Sequence, residues 1–224
     1  MYYSSMNVKT VHFIHIRKTG GSAIKHALSL APSLVTPSGC LFVHRHDFRL
    51  RDLPSDGVCW FVVRDPVARF VSGFDSRFRK GRPLNDVPWS LEEETAFSSY
   101  PTARALADGL ARDEEDAHFA MRHIRHLKYP LSDWLVSAAY VRQHRKKILF
   151  VAQQERLNSD WTRIRAILAL PSYCVLPDDP VAANRSPDQH APSLTPKGLA
   201  AVRRYYAGDY KILATLEALA LLGT

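Results

Sequence analysis

A chain of 224 residues, 46% hydrophobic and 23% charged, suffices for one globular domain with a substantial core and requires no second. No apolar run approaches the roughly 18 residues of a membrane span, and residues 1–9 are too polar for a secretory signal, which predicts a cytoplasmic protein. A net charge of +8 and a pI near 9.5 favour an anionic partner: nucleic acid, an acidic membrane surface touched peripherally, or a small phosphorylated or sulfated ligand.

Val11 to Ile16 is a short apolar run that ends in Lys18-Thr19-Gly20-Gly21-Ser22, and Ala23 to Leu30 then has helix-forming composition. Cys40 to His44 reads as a second strand and Val58 to Val63 as a buried third. Asp65 and Pro66 supply an N-cap and a first-turn proline, after which Val67, Phe70, Val71, Phe74 and Phe78 follow helical spacing. From 81 to 131 the chain is looser, with a helix start at Ser90-Leu91-Glu92-Glu93; it reads as a helical insertion over an acceptor cleft. Ile148 to Val151 is a fourth strand, and a helix from about Ser159 to Ala169 is stopped by Pro171. Residues 171–195, rich in proline, aspartate and serine, are too long for an ordinary connection and read as a lid or binding segment. Thr195-Pro196 opens a helical C-terminus. Short buried strands alternating with helices predict one α/β domain over 1–224, a P-loop-like, three-layer fold with a short central parallel sheet flanked by helices.

Cys40, Cys59 and Cys174 have no metal-type spacing and read as buried reduced thiols. The basic clusters Arg77, Arg79, Lys80, Arg82 and Arg142, His144, Arg145, Lys146, Lys147 match no nucleic-acid-binding motif and read mostly as solvated helix faces. The first loop is more specific. A helix N-terminus presents unpaired N–H groups and a positive partial charge, and Gly20 and Gly21 let an anion approach them closely. Lys18 adds a full charge, and Thr19 and Ser22 add hydroxyls. The Walker A order is not met, because the lysine precedes the glycines. Arg64 stands at the C-terminal end of the third strand and Ser72 two turns into the next helix, where open α/β sheets bind ligands.

These two motifs together resemble the nucleotide-dependent sulfotransferases, particularly the carbohydrate family that includes heparan sulfate 2-O-sulfotransferases and many bacterial proteins. Phe13-Ile14-His15-Ile16-Arg17-Lys18-Thr19-Gly20-Gly21-Ser22 is similar to that family's 5′-phosphosulfate loop, with Arg17 where proline is usual. Val63-Arg64-Asp65-Pro66 through Arg69 and Ser72 is similar to its 3′-phosphate motif. The resemblance is strongest over 11–78; Phe150 to Glu155 and Asn184-Arg185-Ser186 are weaker matches, the latter implying donor contacts from Arg185 and Ser186. It implies the co-substrate 3′-phosphoadenosine 5′-phosphosulfate, no metal, and a carbohydrate or glycolipid acceptor. The segment His44-Arg45-His46 is similar to the His-x-His of the 2-O-sulfotransferases, which implies His46 as base and His44 as its assistant. Two other readings of this pair stand beside that one, strand-end polar residues and a zinc pair at same-face spacing. His12 and His15 lie on opposite faces of the first strand and should not form one site. A magnesium-dependent kinase or NTPase using Asp65, and a non-enzymatic polyanion-binding module, are the rival functions.

Overall fold

The computed structural model describes residues 10–29, 35–36, 39–179, 181, 183 and 193–222. Strand β1 (Thr10–Ile14) leads through α1 (Gly21–Ser29) and a two-residue β2 (Val35–Thr36) to β3 (Gly39–Val43). Then follow β4 (Val58–Val63), α2 (Pro66–Phe78), α3 (Leu91–Ser99), α4 (Ala103–Ala111) and α5 (Glu115–His123). Short helices α6 (Ser132–Leu135) and α7 (Ala138–Gln143) precede β5 (Ile148–Gln153), and α8 (Leu157–Leu168), α9 (Pro196–Tyr205) and α10 (Ala207–Ala218) complete the chain. The sheet order is β2-β3-β1-β4-β5, with β3, β1, β4 and β5 parallel and β2 an antiparallel edge that sequence patterning did not reveal.

The strands read as nearly unbroken apolar runs because both faces are covered. Phe13, Trp60, Val62 and Phe150 meet Ile24 and Leu28 of α1 and Trp161 and Ile164 of α8 on one face. Ile14, Phe61, Val63 and Val151 meet Trp134 of α6, Val141 of α7 and Ile212 and Leu216 of α10 on the other. This is the expected three-layer α/β arrangement. In β5 the register slips, so that Cys59 faces Ile148 while Trp60 faces Phe150; the bulged Leu149 is left 42% exposed.

A third core lies off the sheet. Phe70 and Phe74 of α2 pack with Phe97, Leu106, Leu110, Met121 and Val202 from α3, α4, α5 and α9. The insertion thus forms a helical lobe, and the C-terminal α9 belongs to it. Its caps are local: Asp65 Oδ1 accepts from Ala68 N at 2.9 Å, Ser90 and Glu93 form a capping box, and Thr195 accepts from Gly198 N. Arg77, read from sequence as solvated, is instead buried and doubly bonded to Glu93, whose carboxylate also accepts from Ser90 N and Arg125 N. The second basic cluster is at the surface as expected, with Arg142, Arg145 and Lys146 exposed. Cys59 and Cys174 are buried thiols, whereas Cys40 is half-buried, and all three are free. Among the described residues no helix is long and apolar enough to cross a membrane.

Candidate active site

Because β1, β3, β4 and β5 are parallel, the segments that follow them emerge at one edge of the sheet. The chain leaves β1 toward β3 on one side and returns to β4 on the other, so the ends of β1 and β4 bound the topological switch point. A cavity of about 760 Å³ opens there, within the size range of small-molecule sites. His15, Arg17, Lys18, Gly20, Gly21 and Ser22 line it from the β1 side, His46 from beyond β3, Arg64 from β4 and Gln154 from β5. Its far wall is one stripe of α2, Ala68, Val71, Ser72, Asp75 and Ser76, recurring at helical spacing while Phe70 and Phe74 point into the lobe. Arg77, Lys80, Arg125 and His126 complete the basic lining, and Asp75 is the one carboxylate among the described lining residues.

The loop after β1 is a cradle built for backbone contact. Lys18 adopts φ 64° and Gly20 φ 88°, which turns the chain into α1 with its first N–H groups toward the cavity end. A Cβ on Gly20 would stand 2.8 Å from Leu157, and one on Gly21 would stand 2.0 Å from the His15 ring, so side chains are excluded from both. Burial, then the charges of Arg64 and Arg79, bring the Lys18 ammonium down to about 8, against an opposing pull from Asp75. Arg64 reaches the Lys18 carbonyl at 3.4 Å through one terminal nitrogen, and its enclosed Nε has no partner among the described residues. A guanidinium held by one long hydrogen bond beside a glycine cradle suits a polyanion.

Two predicted residues contribute differently from the expectation. Thr19 is buried, and its hydroxyl donates to the Ile16 carbonyl at 2.9 Å, which fastens the loop and leaves its backbone to meet a ligand. His44 is absent from the cavity lining; its Nε2 lies 2.8 Å from His12 Nδ1, and its ring stacks on Phe48 with centroids 3.6 Å apart. His12 and His15 do separate as their opposite faces required: His12 joins His44, and His15 joins His46 with ring centroids 3.9 Å apart. Arg69, within the second motif, is buried away from the cavity in an ion pair with Asp209 at 2.8 Å. Arg185 and Ser186, and much of the expected lid, lie outside the described residues; Ala183 from that segment lines the cavity.

His46 has a fixed tautomer. Its Nδ1 lies 2.9 Å from the His15 carbonyl, which only accepts, so Nδ1 carries the proton and Nε2 the lone pair. Trp134 Nε1 donates to the His46 carbonyl at 2.8 Å and holds the backbone. Burial lowers the His46 pKa most; the bond to His15 opposes it, and the charges of Arg17, Lys25 and Arg125 add to the lowering, giving about 4. At neutral pH the ring is therefore uncharged and able to accept a proton. Arg17 lies over the Tyr129 ring, its guanidinium carbon 5.2 Å from the centroid.

Asp65 is fully engaged, one oxygen capping α2 and the other accepting from Tyr210 at 3.0 Å. His15, Lys80, Arg125 and His126 were given no role at the site from sequence, Lys80 belonging to a basic cluster that reads mostly as solvated. For His15 the signal existed, since it stands within the first motif, and Lys80 stands just past the end of α2; Arg125 and His126 are brought in by long-range folding alone. No protein-family model, curated protein or solved structure matches this chain.

Proposed function

We propose that the protein is a sulfotransferase that moves a sulfonyl group from 3′-phosphoadenosine 5′-phosphosulfate to an acceptor hydroxyl. One observation carries the reading: a neutral imidazole with its lone pair on Nε2 shares a basic cavity with a lysine-glycine cradle and with Arg64 and Ser72. In this reading the N–H groups at the start of α1 and Lys18 hold the 5′-phosphate, and Arg64 and Ser72 hold the 3′-phosphate. His46 takes the hydroxyl proton as the oxygen attacks sulfur in line with the departing phosphate, whose charge Lys18 offsets. His44, bonded to His12, acts only through the segment it shares with His46. A saccharide or glycolipid acceptor rests on the family resemblance alone.

Titration with adenosine 3′,5′-bisphosphate and with AMP tests the donor site; the bisphosphate should bind at least tenfold more tightly. Equal weak binding with a steep salt dependence would instead indicate a general polyanion surface. Transfer from labelled donor to a panel of glycans and lipids should persist in chelator and ignore ATP. His46→Ala should abolish it while sparing bisphosphate binding, and loss of both together would remove His46 as the base.

A further inference from the structure

His15 follows directly on β1, is 5% exposed, and still lines the cavity. Its ring meets the His46 imidazole, with centroids 3.9 Å apart. The ring also lies so close to the first residue of α1 that a Cβ on Gly21 would sit 2.0 Å from Nε2. The ring therefore borders both the base and the phosphate cradle, the two groups between which an in-line transfer carries the migrating group. Among the described residues neither ring nitrogen has a hydrogen-bond partner, and Nδ1 is wholly enclosed. An enclosed orphan N–H is rarer than an enclosed lone pair, so the proton belongs on Nε2, the nitrogen beside the glycine loop. Burial, then the charges of His46, Lys25 and Arg17, bring the pKa to about 2, so this ring stays neutral and does not compete with His46 for the acceptor proton.

We infer that His15 is a second catalytic residue, whose Nε2–H donates a hydrogen bond to a non-bridging sulfonyl oxygen during transfer; this rests on the sulfotransferase reading. The acceptor oxygen bonds to sulfur as the sulfur–oxygen bond to the 5′-phosphate breaks. The acceptor proton passes to His46 Nε2, and the electron pair of the broken bond leaves on the phosphate beside Lys18. His15 keeps its proton throughout and restrains the group in flight.

Substitution by two residues of similar length separates this from simple packing: His15→Gln keeps an N–H donor, and His15→Met does not. Bisphosphate affinity, which involves no sulfonyl group, serves as the fold check and should stay within about twofold of the parent in both. Single-turnover transfer, or hydrolysis of labelled donor with water as acceptor, should fall about 10²-fold in His15→Met and recover by about tenfold in His15→Gln. Equal rates in the two variants, or a parental rate in His15→Met, would overturn the assignment. Should His15→Met not fold, His15→Phe, which keeps the ring, replaces it with the same expectations. Failure of the parent to bind bisphosphate at all would instead overturn the donor reading beneath it.

Discussion

Raising the pH should weaken a bisphosphate complex through Lys18. In the free protein this ammonium titrates near about 8 rather than the usual 10.5, because it is buried among other cations. A bound phosphate favours the charged form, so the pKa in the complex is higher than in the free protein. The complex then carries more protons than its parts wherever the pH lies between the two values. Affinity is complete below about 8 and falls about tenfold per unit as pH rises through that value, until the pKa of the complex is reached. If that second value is the ordinary one, the span of about 2.5 units corresponds to about 3.4 kcal/mol. The ligand's own phosphates, with second pKa near 6, are already ionised there and contribute no slope. Calorimetric titration in buffers of differing ionisation enthalpy should record almost no proton uptake near pH 7, about half a proton near 8, and most of one by 9. Lys18→Met should erase the uptake. Constant affinity with no uptake from about pH 7 to 9.5 would mean that the lysine does not sit beneath a phosphate.

With His46 acting as a base, kcat/KM should rise with pH through about 4 and be level near neutrality. Arg17→Met removes a positive charge that disfavours protonated His46, so the acid limb should move up by about half a unit or more; a limb that stays put would assign it to another group. Arg64→Ala should cost bisphosphate about 1.5–3 kcal/mol, roughly ten- to a hundredfold, and AMP much less. Equal losses for the two ligands would put the 3′-phosphate elsewhere. Asp209→Ala strands the buried Arg69 and the Leu131 N–H that Asp209 accepts from, and should lower unfolding free energy by about 3–5 kcal/mol in urea titration. The double variant Arg69→Met/Asp209→Leu should regain much of that loss.

Features governed by near neighbours were legible in the sequence. The Asp65-Pro66 start of α2, the Ser90/Glu93 capping box and the Thr195 cap all involve partners three residues away, and each is present where composition put it. The four parallel strands were legible because burial on both faces writes itself as an apolar run. Arg77 was misjudged because its partner Glu93 is 16 residues away on another helix, and no local pattern records that meeting. The alternative zinc-pair reading of His44 and His46 assumed a continuing strand, but β3 stops at Val43; past that point the period of two no longer governs, and the two rings go to different partners. Lys18, Gly20, Gly21, Ser22, Arg64, Ser72 and His46 do converge on one cavity. Arg125 and His126 reach it only because the helical lobe folds back over the sheet edge, a tertiary event without a sequence motif.

Helix α2 carries two loads. One stripe of it walls the cavity, another is seated in the lobe core, and Arg69 between them is anchored to Asp209 of α10 and to the Tyr129 carbonyl. Tilting this helix to widen the cavity would break a desolvated ion pair and unseat two phenylalanines together. Changes to what the cavity admits should therefore begin at Lys80, Asn85 and Arg125, where a side chain can be exchanged without moving the beam.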